Sequence, residues 1–356
     1  MIDTDANILL IYTGGTIGMI ENPLTFALES FDFVHLKNHF PEIDKFNFNV
    51  DSIVFEPPID SSGINPTHWQ RLVKMIEDNY DQYDGFVILH GTDTMAFTAS
   101  ALSFMIENLT KPIVLTGAQL PIGKLRTDAK ENLITAIEIA ADKDSIGQPI
   151  VPEVCIFFQN YLLRGNRTVK MNADNFSAFK SFNFPYLAKS GIQIRYERGA
   201  ILQPNFDKKP RFHYLIDTNI IILKLFPGIT PAVVEAILGA SGIKAVILET
   251  FGSGNAPKLE WFIDLIRSAV KKGIIVVNVT QCAVGCVEMQ RYETGNELLK
   301  AGVISGFDMT LETTLAKLMY LIGHKYEVNE IKVRMRVPLV GELTRPEDRE
   351  NEKLYF

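Results

Sequence analysis

Short apolar runs alternate with amphipathic segments along the first half of the chain. Apolar runs bounded by turn residues predict buried strands at 7–12, 46–55, 85–90, 112–116 and 154–158. Helical spacing is clearest after Asn65, where Trp69, Leu72, Val73 and Ile76 fall on one face. Strands that alternate with helices predict right-handed crossovers and a doubly wound, mainly parallel sheet of flavodoxin-like strand order 2-1-3-4-5.

The rest of the chain repeats this pattern after a change in composition. Residues 190–216 mix Gly, Pro and charge without periodicity, so we expect a linker there between an N-terminal α/β catalytic domain (1–189) and a smaller C-terminal α/β, Rossmann-like domain (217–356). The second domain is predicted to have strands at 220–225, 245–249 and 274–279 and helices at 231–238, 259–271 and 310–322. In the first domain, the sequence predicts a loop or hairpin at 19–31, a short helix at 31–40, and longer helices at 95–108 and 127–142.

Composition and charge exclude several classes of protein. The net charge is -7, and no block of Lys and Arg exceeds two residues, which argues against a nucleic-acid partner. No apolar run reaches the length of a membrane span, and the start lacks the basic region of a signal peptide. Cys155, Cys282 and Cys286 indicate reduced thiols in a cytoplasmic protein, and without a His or Cys cluster they predict no metal site.

Polar side chains follow the ends of neighbouring strands. Strand one ends in TGGTIG (13–18), strand two in DSSG (60–63) and strand three in HGTDT (90–94), where Asp93 or Thr94 can cap the next helix. In the predicted strand order, strands one and three adjoin at the switch point, so hydroxyls and a carboxylate would converge beside glycine N–H groups. From HGTDT alone, a capped turn with no chemistry is an equal alternative, and from TGGTIG alone a tight turn with capping threonines is favoured.

A threonine hydroxyl needs a base to act as a nucleophile. Lys170, in RGNRTVK after the fifth strand, is the best candidate for that base, and Asp93 can orient it. A solvated surface amine is the alternative interpretation of this lysine.

These motifs together resemble those of bacterial type I (cytoplasmic) L-asparaginases. The matching segments are TGGTIG at 13–18, DSS at 60–62, HGTDT at 90–94, TGAQ at 116–119, GNRTVK at 165–170 and FGSGNAP at 251–257. Each motif alone is modest, but their order along both domains is specific. The resemblance implies hydrolysis of L-asparagine to L-aspartate and ammonia, no cofactor or metal, and a homodimer or homotetramer without nucleic-acid or membrane partners.

The resemblance also implies roles for individual residues. Thr16 would attack the side-chain amide and form a covalent acyl-enzyme, while Thr92, Asp93 and Lys170 form a supporting triad. Backbone N–H groups of Gly15 and Thr92 would hold the oxyanion. The implied substrate-binding residues are Gly15, Ser61, Ser62, Gly63, Thr92, Asp93, Ala118 and Asn255, the last supplied by a neighbouring subunit.

The chain departs from the family pattern at several positions. Many relatives have a tyrosine in the loop after the first motif, whereas this chain has Phe26, which cannot relay a proton. Some type I enzymes bind a second, allosteric asparagine through a Thr, an Arg and a Cys. Cys282 matches that set, but Val169 and Glu249 stand at the Thr and Arg positions, so we expect no such regulation.

Two other functions remain open at this stage. One is the amidase subunit of a tRNA-dependent amidotransferase, which shares these motifs but carries an extra N-terminal domain, for which the first motif at residue 13 leaves no room. The other is a catalytically silent amino-acid binding protein, against which the presence of both threonines, Asp93 and Lys170 argues. Ammonia release from asparagine or glutamine separates these hypotheses.

Overall fold

The computed structural model describes residues 6–21, 28–30, 43 and 45–345. It divides into two compact units, the first ending at Tyr214 and the second beginning at Leu215. The first unit contains the strands β1 (Asn7–Tyr12), β2 (Met19–Glu21), β3 (Leu28–Ser30), β4 (Asn49–Val54), β5 (Gly85–Leu89), β6 (Ile106–Glu107), β7 (Ile113–Thr116), β8 (Val154–Phe158), β9 (Tyr161–Arg164), β10 (Val169–Lys170), β11 (Phe179–Lys180), β12 (Ala188–Lys189), β13 (Arg195–Tyr196) and β14 (Arg211–Phe212). Its α-helices are α1 (Pro66–Asn79), α2 (Met95–Met105) and α3 (Ala129–Ala141).

The large sheet of the first unit has the order β13-β12-β9-β8-β7-β5-β1-β4. Its parallel part, β4-β1-β5-β7-β8, is the predicted order 2-1-3-4-5, so the doubly wound fold is confirmed. Every residue of β5 and β8 is buried, as expected for parallel strands that are covered on both faces. Helices α2 and α3 both contact β8, and α3 also contacts β1, β5 and β7.

The start of α1 shows how the sequence sets one of these helices. The Asn65 side chain accepts a hydrogen bond from the Thr67 N–H (2.9 Å), and Pro66 occupies the first helical position, where no N–H is needed. The buried face of α1 consists of Trp69, Leu72, Val73 and Ile76, the residues that the periodicity selected.

Two predicted connecting segments have definite structure. Strands β2 and β3 pair antiparallel, which is the hairpin alternative for 19–31, whereas the predicted helix at 31–40 lies outside the described residues. Within the segment interpreted as a linker, β13 pairs with β12 in the large sheet, and β14 pairs with β6. Apolar periodicity could not identify these pairs because each is only two residues long.

The second unit has a parallel sheet of order β15-β16-β17-β18. Its strands are β15 (Ile220–Lys224), β16 (Ala245–Thr250), β17 (Ile275–Thr280) and β18 (Ile304–Ser305). Its helices are α4 (Pro231–Leu238), α5 (Glu260–Lys271), α6 (Glu293–Lys300), α7 (Leu311–Gly323) and α8 (Val328–Arg334). The predicted helices and the three predicted strands are confirmed, while β18, α6 and α8 were not predicted.

A fully buried ion pair lies inside the second unit. Lys317 of α7 places its Nζ 2.5 Å from Glu342 Oε1, and both side chains are 0% exposed. Lys317 also donates to the Val337 carbonyl (2.8 Å), and Glu342 accepts from the N–H groups of Leu339 and Val340. Burial lowers the pKa of Lys317, although Glu342 opposes that shift. The pair therefore ties the 337–342 turn to α7.

Candidate functional site

Glycines allow the turns after β1, β4 and β5 to lie in close contact. Gly14 and Gly15 have φ values of +129° and +90°, which side-chain-bearing residues rarely adopt. A Cβ on Gly15 would lie 2.4 Å from the Gly91 Cα, and a Cβ on Gly91 would lie 2.5 Å from Ser61 Oγ. The turns that follow the first, second and third predicted strands thus meet at one end of the sheet.

The first turn contains two threonines in different settings. Both the backbone N–H and the hydroxyl of Thr13 donate to the Leu89 carbonyl, at 3.0 and 2.9 Å, so this buried hydroxyl joins β1 to β5. Thr16 begins a short 3₁₀ turn and is only half-buried. The Tyr12 hydroxyl donates to the Gly18 carbonyl (3.1 Å) at the end of that turn, and burial raises the Tyr12 pKa to about 12.

Lys170 reaches the HGTDT turn from another part of the chain. Its Nζ donates to Thr92 Oγ1 (2.9 Å) and to Asp93 Oδ1 (2.6 Å). The lysine side chain is 18% exposed, whereas that of Asp93 is 61% exposed. Lys170 lies on β10, which pairs with β11 in a small hairpin separate from the large sheet. The structure therefore brings together Thr92, Asp93 and Lys170, and leaves the Asp93 carboxylate accessible.

Gln119 determines the direction of the Thr92 hydroxyl hydrogen bond. The Gln119 Nε2 group donates to the carbonyls of Ala173 and Asn175, both at 3.2 Å. Because carbonyls only accept, the Gln119 Oε1 atom must face Thr92, whose hydroxyl donates to it (3.2 Å). Lys170 is then the donor in its bond to Thr92, so an N–H of its amino group points at the Thr92 oxygen.

The turn that carries Ala118 is fixed by side chains of α3 and the residue before it. Asp128 accepts from the N–H groups of Gln119 (3.0 Å) and Leu120 (3.1 Å). Asn132 donates to the Gly117 carbonyl at 3.0 Å. Ala118 lies between these anchored residues and is buried.

Thr94 occupies the N-cap position of α2, but its side chain does not cap the helix. Its hydroxyl donates instead to the Ser61 carbonyl at 2.7 Å. The Ser61–Gly63 turn is capped by Asp60, which accepts from the Ser62 N–H (2.9 Å). Side-chain capping of α2 by Thr94 was thus a wrong expectation, because the hydroxyl bonds the neighbouring turn.

The buried His90 ring is held within the HGTDT turn and the start of α2 by two hydrogen bonds. Its Nδ1 atom lies 2.6 Å from the Gly91 carbonyl and its Nε2 atom 2.9 Å from Thr98 Oγ1. Trp69 Nε1 donates to the same Thr98 oxygen at 3.1 Å. Complete burial lowers the His90 pKa to about 4, so the ring is neutral near pH 7. A proton on Nδ1 then serves the carbonyl, and Nε2 accepts from Thr98.

Of the other residues that the sequence analysis named, Asn255 and Glu249 lie in the second unit. Asn255 closes the Phe251–Asn255 turn after β16, and its Oδ1 accepts from Thr294 (3.0 Å). Glu249 lies 3.8 Å from Lys224 Nζ. The pKa of the nearby Glu312 is raised by burial first, with Glu249 as a smaller cause. Phe26 is outside the described residues.

Sequence reasoning missed several residues that shape the site. His90 and Gln119 stand inside motifs that were quoted; the His90 partners, Gly91 and Thr98, are close in sequence, whereas the Gln119 side chain donates to residues 54 and 56 positions away. Asp128 gives no local signal, since its contacts appear only once the 117–120 turn folds back onto α3.

Within the described residues, no three His, Cys, Asp or Glu side chains gather as a metal site. In the same part of the chain, no helix is long and apolar enough to cross a membrane.

Family comparisons define the class of protein. The model described as "Asparaginase, N-terminal" matches residues 7–202, and the one described as "Glutaminase/Asparaginase C-terminal domain" matches residues 219–335. The two matches correspond to the two α/β units, and they identify an amidohydrolase of the asparaginase class.

Individual relatives narrow this result. L-asparaginase 1 of Escherichia coli (strain K12) is 43% identical, over 96% of this chain and 99% of that protein. The crystal structure of L-asparaginase I from Vibrio cholerae is 40% identical with a TM-score of 0.86, covering 96% of this chain and 99% of that one. A glutamyl-tRNA(Gln) amidotransferase component of Pyrococcus abyssi is 32% identical over 95% of this chain and 76% of that protein. The chain belongs to the asparaginase family, in the group of type I L-asparaginases.

Proposed function

We propose that this protein hydrolyses L-asparagine to L-aspartate and ammonia through a covalent acyl-enzyme on Thr16. The observation that carries the proposal is the pair of short bonds from Lys170 Nζ to Thr92 and Asp93. Thr92 and Asp93 of this cluster lie on the turn whose Gly91 packs against Gly15, the residue before Thr16. In the proposal, the nucleophile and these two supporting residues would therefore lie on two contacting turns, with Lys170 reaching them from β10.

The proposed reaction has two steps. In the first, the Thr16 oxygen forms a bond to the side-chain carbonyl carbon, the C–N bond breaks, and the threonine proton ends on the departing ammonia. In the second, water adds to the ester carbon and Thr16 regains its proton. The N–H groups of Gly15 and Thr92 would stabilise the oxyanion in both steps, because fixed donors need no reorganisation as charge develops. Lys170, oriented by Asp93, would serve as the base that takes the threonine proton by way of Thr92 and returns it to the leaving group.

Substrate recognition follows from the charge of each group at the turns. The accessible Asp93 carboxylate suits an α-ammonium group, and the Ser61–Gly63 turn offers hydroxyl and N–H donors to an α-carboxylate. The Ala118 carbonyl would accept from the side-chain amide before it leaves. The family resemblance implies that this reaction needs no cofactor or metal.

Ammonia release by the purified chain is the test of this function. We expect turnover of L-asparagine, and we expect Thr16→Ala to lower kcat by about 10³-fold or more, as loss of a covalent nucleophile does. The matched variant Thr16→Ser keeps the hydroxyl and should retain measurable turnover, with an aspartyl adduct on residue 16 after acid quenching. Wild-type rates in Thr16→Ala would overturn the assignment of the nucleophile.

The same assay addresses the two alternative functions. An amidotransferase component would release ammonia from glutamine or asparagine only when a partner protein and charged tRNA are present. That function is the weaker proposal because the amidotransferase relative is 32% identical, against 43% for L-asparaginase 1. A silent binding protein would bind L-asparagine in calorimetry without releasing ammonia.

Assembly and location are further parts of the proposal. We propose a homodimer or homotetramer in which Asn255 of one subunit completes the site of another, and a cytoplasmic location. Support for the first comes from the family resemblance and from the place of Asn255 in the turn at the end of a second-unit strand.

A further inference from the structure

Thr94 links the two turns that would recognise the charged groups of the substrate. Its neighbour Asp93 is the residue proposed for the α-ammonium group, and its own hydroxyl donates to the Ser61 carbonyl at 2.7 Å. Ser61 begins the turn proposed for the α-carboxylate. The Thr94 side chain is therefore one of the contacts that set the distance between Asp93 and the Ser61–Gly63 turn.

Besides the Thr94 bond, the Ser61–Gly63 turn is restrained by the Asp60 side chain, which accepts from the Ser62 N–H (2.9 Å), and by the preceding Ile59, whose N–H donates to the Thr13 carbonyl (2.8 Å). It is a single 3₁₀ turn, closed by the bonds from Gly63 N to Asp60 O (2.9 Å) and from Ile64 N to Ser61 O (3.2 Å). Ser62 and Gly63 are exposed, whereas Ser61 is buried against Gly91. A lone turn of this length is not stable by itself, so contacts from its surroundings define its position.

The Thr94 hydroxyl has no helix-capping role that would explain it. It makes no side-chain bond to the N–H groups of α2, and the first helical bond, from Thr98 N to Thr94 O (3.0 Å), uses the backbone. Removal of the hydroxyl would therefore leave the helix start intact and would remove the tether to Ser61.

We propose that Thr94 is a positioning residue that places the Ser61–Gly63 turn for the α-carboxylate of the substrate, an inference that rests on the function proposed above. Thr94 would not touch the reacting amide. Its loss should therefore weaken binding of the α-carboxylate and leave the chemical step largely unchanged.

The test pairs two variants with two ligands. Thr94→Val keeps the shape and removes the hydroxyl, while Thr94→Ser keeps the hydroxyl. The ligands are L-asparagine and β-alaninamide, which is asparagine without its α-carboxylate. We expect Thr94→Val to raise the KM for asparagine about tenfold, with kcat changed less than about threefold, the effect of losing one hydrogen bond in binding. For β-alaninamide, as a substrate or a competitive inhibitor, the change should be less than about twofold.

The controls separate positioning from a loss of folding. Thr94→Ser should restore the wild-type KM. Thr314→Val removes a hydroxyl-to-carbonyl bond of 2.8 Å in the second unit and should leave both ligands unaffected. The dissociation constant for L-aspartate, measured by calorimetry, should rise about tenfold in Thr94→Val only.

Two results would overturn the positioning role. One is an equal penalty for asparagine and β-alaninamide, and the other is an unchanged KM in Thr94→Val. Failure of the proposed function is a different result, because the wild type would then release no ammonia from asparagine. Aspartate binding still measures the effect of Thr94 in that case.

Discussion

Breaking the buried Lys317–Glu342 pair should destabilise the second unit strongly. The variant Lys317→Met keeps the length and apolar character of the lysine stem but removes the ammonium. It leaves the Glu342 carboxylate without its counter-charge at a position that is 0% exposed, and it removes the donor to the Val337 carbonyl. Loss of one partner from a buried pair typically costs about 3–5 kcal/mol, because the remaining charge is uncompensated.

A second variant separates two free energies: the cost of leaving Glu342 charged without a partner, and the net stabilisation that the intact ion pair provides. In Lys317→Met/Glu342→Gln both charges are absent, and the glutamine oxygen can still accept from the N–H groups of Leu339 and Val340. We expect the double variant to recover most of the lost stability, since neutral replacements of buried pairs are often tolerated. The surface pair variant Lys258→Met is the matched control, with no measurable change expected because both of its partners are largely exposed.

Urea unfolding followed by tryptophan fluorescence measures this effect in one unit. The chain has two tryptophans, Trp69 in the first unit and Trp261 in the second. In a Trp69→Phe background the signal reports the second unit, where the free energy of unfolding can be compared between variants at constant m-value. A loss of less than about 1 kcal/mol in Lys317→Met, or a double variant less stable than the single one, would refute the reasoning.

Three further predictions concern pH, assembly and regulation. Burial lowers the His90 pKa from 6.5 to about 4, so between these pH values the unfolded state binds more protons than the folded state. The stability that His90 contributes is therefore complete above pH 6.5 and falls by about 3 kcal/mol as the pH drops through 4. Urea titrations of the wild type and of His90→Gln should differ in that window. Dilution below the assembly constant should lower specific activity if Asn255 serves a neighbouring site, and a fully active monomer in sedimentation would contradict this. Velocity against asparagine should be hyperbolic, because the Glu249 carboxylate, although 3.8 Å from Lys224 Nζ, would repel a second α-carboxylate. A sigmoidal curve abolished by Cys282→Ser would show that an allosteric site exists.

The fold was predictable wherever an element was long enough to show its period. The parallel strand order follows from strands that alternate with helices, and even the boundaries of Pro231–Leu238 agree, since Pro begins that helix and Gly239 follows it. Two-residue strands such as Arg195–Tyr196 carry no period, and their pairing with Ala188–Lys189 is a tertiary event. This is the reason why most of the residues expected to form a linker, 190–214, belong to the first unit.

The site was predictable at the level of turns and not at the level of bonds. Glycine, threonine and aspartate directly after buried strands are local signals, and they identified Thr92 and Asp93. The bonds of Gln119 reach residues 54 and 56 positions away, and that of Thr94 reaches one 33 positions away. Such partners depend on how whole segments pack, so no short pattern can reveal them.

The contact between Gly15 and Gly91 has a consequence for how the site can vary. Where the two turns meet, the contacting atoms belong to the backbone of two buried glycines, so this patch does not depend on the identity of a side chain. Mutation can therefore alter the hydroxyls and charges around this patch while the patch itself persists. The same closeness restricts both positions, because a methyl group added at either would lie within 2.5 Å of an atom of an adjoining turn. The side chains around this contact can therefore change more freely than Gly15 and Gly91 themselves.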